Sequence, residues 1–274
     1  MNSVKRRIIA ELARVVNGFA SVMRIRILGR SSSEFLLPNM DIVLKKLIKD
    51  SAPTILDIGA NEGQSIRRFK KLFPQSQIFA FEPIESLANL LQTQFSHRES
   101  KIEIINEACS NHNGISEIHI NSHTGNSSIL PLIPNTKWLR ERSKESGVAP
   151  TNYTVKKQSI KLEKIDTFID SRNLDRVHFV KIDTQGYELN VLQGMSKALQ
   201  LGIIDVIQIE IIHTDIYLGN AKLFDIENEL VTRGYKLVAV SNGGSLLNYF
   251  IFQQDLVYVS PNHWNQFYRD VIEV

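Results

Sequence analysis

From residue 53 onward, short runs rich in β-branched and aromatic residues alternate with stretches whose apolar residues recur at helical spacing. A chain with that alternation folds as an α/β protein, a parallel sheet covered by helices on both faces, because each strand must return to the sheet through a crossover that a helix supplies. The spacing predicts strands over residues 54–58, 77–82, 101–107, 177–183 and 204–210, and helices over 62–73, 84–96, 187–200 and 221–233. Residues 203–212 are apolar at consecutive positions, interrupted only by Asp205, Gln208 and Glu210. A strand of that kind is covered on both faces and lies in the middle of a sheet. Two later runs, 235–240 and 256–259, flank a turn-like 241–244 and read as an antiparallel hairpin ending the sheet.

Two further extended segments, 116–120 and 159–162, enclose a polar stretch from Asn121 to Gln158. That is long for a loop inside a compact domain, and long loops often act as lids or binding loops. Trp138 and Tyr153 within it read first as anchors to the core and second as stacking partners for a ligand. At 274 residues, 43% of them hydrophobic, the chain supports one main core with an extension. Cys109 is the only cysteine, so no intrachain disulfide forms. A reducing, cytoplasmic setting is the natural expectation, with Cys109 as a small buried hydrophobe.

The charge is unevenly placed. Residues 1–30 carry seven basic side chains against Glu11, a net +6, while the remainder sums to −3. A slightly acidic main domain argues against DNA or RNA as substrate. No run of about 18 apolar residues is present, so no transmembrane helix is expected. Glu11 and Arg14 interrupt what would be the apolar core of a cleaved signal. Ile8, Leu12, Val15, Val16, Phe19, Val22 and Met23 recur at helical spacing among arginines, which describes a basic amphipathic helix. Packing on the domain or on a second subunit in a homodimer is one reading of it; peripheral contact with an anionic membrane through residues 1–30 is the other.

The most informative segment is Ile55-Leu56-Asp57-Ile58-Gly59-Ala60-Asn61-Glu62-Gly63, followed at the end of the next strand by Phe81-Glu82-Pro83. A buried strand running into a glycine turn and a helix lets the backbone at Gly59 approach a ligand closely. Glu82 then sits where an acidic side chain accepts hydrogen bonds from the two hydroxyls of an adenosine ribose. A dinucleotide site calls for Gly-x-Gly-x-x-Gly, yet Asn61 stands at the second glycine and Glu62 puts negative charge on the first helical turn, which disfavours a diphosphate. S-adenosylmethionine has no phosphate and carries an ammonium and a sulfonium, so Asp57 and nearby carbonyls suit it better than NAD. The plainer reading is that Asp57 caps the helix and the glycines only turn the chain.

These motifs, with Lys181-Ile182-Asp183-Thr184-Gln185-Gly186-Tyr187-Glu188, Val191-Leu192-Gln193-Gly194 and Ile209-Glu210, resemble the FkbM family of S-adenosylmethionine-dependent methyltransferases over roughly residues 53–260. The resemblance implies a Rossmann-like, doubly wound sheet of seven mostly parallel strands with an antiparallel last strand. It also implies O-methylation, often of sugars in polysaccharides or glycolipids, by a domain over 51–274 preceded by a helical extension over 1–50. By the same resemblance Asp57, Gly59, Ala60, Asn61, Gly63, Glu82 and Pro83 hold the cofactor, and Glu107-Ala108 contact adenine, with glutamate in place of the usual aspartate.

A hydroxyl acceptor benefits from a base, and the strand ends offer Asp183, Glu210, His213 and Asp215. Asp183 is the leading catalytic candidate because a buried strand delivers it to the crevice; Glu210 and His213 follow. Glu188 reads equally well as a favourable charge on a helix N-terminus. No tight ligand spacing supports a metal. The alternatives are an NAD(P)-dependent oxidoreductase and a non-catalytic nucleoside-binding accessory protein.

Overall fold

The computed structural model describes residues 39–96, 101–241, 244–245 and 251–271; the amphipathic segment read over residues 1–30 lies outside them. The first half comprises α1 (Met40–Leu47), β1 (Thr54–Ile58), α2 (Gln64–Leu72), β2 (Gln77–Phe81), α3 (Glu85–Leu91), β3 (Ile102–Ile105), β4 (Ala108–Cys109), β5 (Gly114–Asn121) and α4 (Lys137–Glu145). Then come β6 (Thr154–Glu163), α5 (Ile165–Ser171), β7 (Val177–Ile182), α6 (Glu188–Gln193), α7 (Ser196–Leu201) and β8 (Ile204–Ile212). The chain continues through α8 (Leu223–Val231), β9 (Lys236–Val240), β10 (Gly244–Ser245), β11 (Ile251–Val259) and α9 (Pro261–Val271).

The main sheet runs β3-β2-β1-β7-β8-β11, with β9 and the two-residue β10 sharing the outer edge of β11. Neighbours from β3 to β8 are parallel, and β11 is antiparallel to both β8 and β9. The expected mostly parallel sheet with an antiparallel last strand is therefore present. The expected terminal hairpin is present too, and within it β11 lies between β8 and β9. Burial explains it, since Val257, Tyr258 and Val259 are wholly enclosed while Lys236 and Leu237 of β9 tolerate an outer position. Strand order reverses at β1, between β2 and β7, and the crevice above such a reversal is where open α/β sheets bind ligands.

Successive residues of the central strands belong to different cores. Ile55, Phe179, Val206 and Val257 pack on one face with α1 and α2; Leu56, Val180, Ile207 and Tyr258 pack on the other with α5 to α8. This double burial is what the consecutive apolar runs require. The helix predicted over 84–96 ends its α-helical part at Leu91 and finishes as a π turn, Gln92–Ser96. That over 187–200 is two helices. A Cβ at Gly194 would lie 1.9 Å from the Ser110 carbonyl oxygen, and the Asp166 carboxylate accepts from the Lys197 and Ala198 N–H groups to start α7 afresh. Within the stretch read as the N-terminal extension, α1 buries Leu44 and Leu47 in the core of the main domain.

The segments predicted over 116–120 and 159–162 are the paired parts of β5 and β6, antiparallel in a separate three-stranded sheet with β4. Ile118, Ile120, Ile160 and Leu162 pack there against Ile84 and Leu87. The polar stretch between them contains α4. Trp138 and Tyr153 serve as its anchors, edge-to-face with ring centroids 6.1 Å apart and packed on Ile212, Ile216 and Tyr217. Among the described residues, no helix is long and apolar enough to cross a membrane.

Candidate active site

At the carboxyl ends of β1, β2 and β7 lies a hollow that, with its open mouth, encloses about 660 Å³. Its lining comes from the turn after β1, the segment Phe81–Ile84, residues Glu107–Cys109, the segment after β7, and a wall of Thr124, Gly125, Ser127, Ser128 and Ile129.

The turn after β1 is built on left-handed backbone at Gly59 (φ 86°) and Asn61 (φ 47°). The N–H groups of Gly59 and Ala60 both donate to the Phe81 carbonyl, tying the turn to β2. A Cβ at Gly59 would lie 1.9 Å from the Asp183 carbonyl oxygen. The glycine is thus demanded by the neighbouring strand end, whose Asp183 N–H donates to the Ile58 carbonyl, and Gly59 also lines the hollow. Gly63 starts α2, where a Cβ would meet Phe95 and Leu91 at 2.7 and 2.8 Å. Ala60 is buried in the core, and neither it nor Gly63 lines the hollow.

Glu82, 4% exposed, stands just past β2 on the hollow's wall. Its Oε2 accepts from the Asn61 N–H and its Oε1 from the Ile84 N–H, each at 2.8 Å. Two backbone donors orient the carboxyl and leave lone pairs on both oxygens for hydroxyl donors. Burial outweighs those hydrogen bonds and pushes the pKa up to about 7. Asn61 also lines the hollow, and its buried Oδ1 has no partner among the described residues.

Asp57 is wholly buried and does not reach the wall. Its Oδ2 accepts from the Ser65 hydroxyl of α2, while Oδ1 has no partner among the described residues. Burial raises its pKa, with Lys181 and Ser65 pulling the other way.

After β7, Asp183 meets the hollow with its side chain 30% exposed. Oδ2 accepts from Lys181 Nζ at 3.0 Å and Oδ1 from Gln185 Nε2 at 2.9 Å. Burial works against the charge, but Lys181 and hydrogen bonds from Gln185 and Glu210 outweigh it and hold the carboxyl below the usual aspartate range. Burial likewise opposes charge on Lys181, yet Asp183, Asp57 and Glu210 raise its pKa. Glu210, at the end of β8, accepts from the same Gln185 amide at 2.9 Å and from Gln253 at 3.0 Å. Burial, Asp183 and Asp255 push its pKa up, so Glu210 keeps its proton where Asp183 gives its up. Glu188 faces inward: its Oε1 accepts from the N–H groups of Thr184 and Gly186, both at 3.0 Å, and stitches the Asp183–Gly186 loop together.

The profile of the methyltransferase FkbM domain matches residues 57–237. The chain belongs to the FkbM methyltransferase family. It is 25% identical over 153 residues, 56% of this chain and 61% of the relative, to 2-O-methyltransferase NoeI of Sinorhizobium fredii. It is 26% identical over 161 residues to methyltransferase sdnD of Sordaria araneosa, covering 54% of this chain and 62% of that one. The matched stretches thus span about three-fifths of these relatives. Among solved structures, methyltransferase FkbM from Methylobacillus flagellatus KT is similar with a TM-score of 0.49 at 16% identity, over 76% of this chain and 44% of that one.

Within this FkbM domain the fold gathers Gly59, Asn61, Glu82, Pro83, Glu107, Ala108 and Asp183 around one hollow. Glu210 joins Asp183 through Gln185. His213 does not line it; its Nε2 lies 3.1 Å from Gln254 Oε1 and its N–H donates to the Phe252 carbonyl. The candidate base Asp215 pairs with Lys222 on the surface. Among the described residues no group of three or more His, Cys, Asp or Glu is arranged to hold a metal ion. The sequence marks the 121–158 stretch as a binding-loop candidate but does not single out Thr124–Ile129 within it, since short polar residues in a long loop carry no period, and it assigns no role to Gln185. The one available signal was the Asp183-Thr184-Gln185-Gly186 turn itself.

Proposed function

We propose that the chain is an S-adenosylmethionine-dependent methyltransferase acting on a hydroxyl oxygen of a small molecule or glycan, such as a sugar or a polysaccharide or glycolipid precursor. The observation that carries this reading is Glu82, a buried carboxyl on the hollow's wall whose two oxygens each retain lone pairs after accepting one backbone N–H. That arrangement suits the paired hydroxyls of a ribose. The site also fits the rest of the cofactor: Asn61 Oδ1 is an acceptor without a donor, and Asn61 and Glu62 deny a diphosphate the glycine-lined helix start it needs. Membership of a methyltransferase family supports the same cofactor, and the name of the NoeI relative supports oxygen as the acceptor atom.

S-adenosylmethionine supplies an electrophilic methyl group on its sulfonium. On this reading Glu82 accepts the ribose hydroxyls, while Pro83, Glu107 and Ala108 border the space for the base. Asp183 would accept a hydrogen bond from the incoming hydroxyl on the lone pairs that Lys181 and Gln185 leave free, and would take up the proton that this hydroxyl releases as its oxygen displaces the thioether from the methyl group. Because Asp183 is ionised and firmly held, it is a weak base but a well-placed acceptor, so alignment carries more of the rate than proton abstraction does. Glu210 acts behind Asp183 by keeping a proton and not adding a second charge.

Calorimetric titration with S-adenosylmethionine and with NAD tests the cofactor. Binding of the first in the micromolar range and none of the second is expected; the reverse would move the chain to nucleotide-dependent redox chemistry. Asp183→Ala is expected to keep cofactor affinity within about threefold and to lose at least 100-fold in turnover once an acceptor is in hand, a loss in line with removal of a positioned proton acceptor.

A further inference from the structure

Gln185 stands in left-handed backbone (φ 56°), an unfavourable conformation for a residue with a Cβ, and everything around it holds it there. Its side-chain NH2 places one N–H on Asp183 Oδ1 and the other on Glu210 Oε2, both at 2.9 Å. Its Oε1 lies 3.1 Å from the Tyr217 hydroxyl, which also reaches the Asn126 carbonyl at 2.8 Å. Turning the amide over would set its oxygen against the ionised Asp183 carboxylate and its NH2 against the Tyr217 hydroxyl that donates to it, so only one orientation is consistent with the surroundings. Its backbone carbonyl accepts from the Ser128 hydroxyl at 2.8 Å, and that hydroxyl oxygen in turn accepts from the Leu130 N–H. One residue therefore touches the carboxyl pair, the buried tyrosine and the wall of the hollow.

We propose that Gln185 is a positioning residue: its side-chain amide sets the direction in which Asp183 presents its free lone pairs, and the Ser128 bond to its backbone carbonyl ties the residue to the wall of the hollow. The proposal rests on Asp183 being the group that receives the acceptor hydroxyl. Asp183 is faced by Lys181 on its own strand, Asp57 on β1, Glu210 on β8 and Glu188 on α6, and Asp255 on β11 bears on it through Glu210. Gln185 donates to Asp183 without carrying a charge or a titratable proton, so its removal changes the carboxylate's hydrogen bonding without changing the number of charges.

The test follows the side-chain carboxyl of Asp183 by carbon-13 NMR in the full chain, with Asp183→Asn assigning the signal, across pH in the wild type and in Gln185→Leu. Loss of a hydrogen bond to the ionised form raises its proton affinity, and a roughly tenfold increase is expected. Ser128→Ala, which keeps every side chain around Asp183, is expected to shift the titration in the same direction by a smaller factor, and it decides the matter if Gln185→Leu fails to fold. Unchanged titration of Asp183 in whichever of the two variants folds would overturn the proposal. Titration of the same samples with S-adenosylmethionine separates the two readings. Wild-type protein that fails to bind it sinks the cofactor assignment, while the carboxyl titration still decides whether Gln185 orients Asp183.

Discussion

Glu82 joins the turn after β1 to the loop after β2 through its two backbone hydrogen bonds, so one side chain both shapes the hollow and faces into it. Its pKa of about 7 has a consequence for ligand binding. Hydroxyl donors prefer the ionised carboxylate, so a ribose-bearing ligand competes with the proton. Affinity for S-adenosylmethionine is expected to rise as pH increases through 7 and to level off above about 8; Glu82→Gln should bind at least tenfold more weakly at pH 8 with a flat pH dependence, as calorimetry would register. Equal slopes for the two proteins would detach Glu82 from the ligand. Gly59 teaches a different lesson at the same scale. A glycine in a strand–turn–helix is legible in sequence, but that its missing Cβ makes room for the Asp183 carbonyl is a contact across more than a hundred residues, which no local pattern encodes.

At the scale of elements, the division of residues 188–201 into α6 and α7 bears on the site, because α6 carries Glu188 and thereby the loop that presents Asp183. The periodicity of apolar residues continues through both helices and gives no sign of the break. Gly194 permits close contact with the Ser110 carbonyl, and Asp166, a residue of α5, supplies the acceptors that the first N–H groups of α7 lack. Asp166→Ala should therefore destabilise the fold by about 1–3 kcal/mol, as expected for a buried capping carboxylate, with a lower urea midpoint and unchanged slope. A midpoint equal to wild type would show that α7 needs no cap from its neighbour. The hairpin of β9 and β11 is a parallel case: alternation predicts the pair, but the choice of inner strand follows from which one can be buried on both sides.

At the scale of the whole molecule, the seven basic residues among the first thirty stand apart from a remainder of net −3, a separation suited to attraction towards an anionic surface. If residues 1–30 contact an anionic membrane, the full chain is expected to float with vesicles containing phosphatidylserine at low salt, and a chain beginning at residue 31 to stay in the lower fraction; equal behaviour would leave packing on the domain or on a second subunit as the reading of that segment. Within the main domain, amino-acid order alone determines the alternation of strands and helices, the double burial of the central strands, the enclosure of Cys109, and the delivery of Glu82 and Asp183 to strand ends on one sheet edge. The alternation, the double burial and the strand ends follow from the pattern of apolar residues, periodic or consecutive, over a few neighbouring positions, and the enclosure of Cys109 from its residue type. Only the tertiary structure decided that Asp57 is enclosed behind the turn, that His213 faces Gln254 and not the hollow, and that a wall of small polar residues closes on Gln185. Those outcomes depend on which distant backbone and side-chain atoms meet once the sheet has closed, and periodicity carries no information about such meetings.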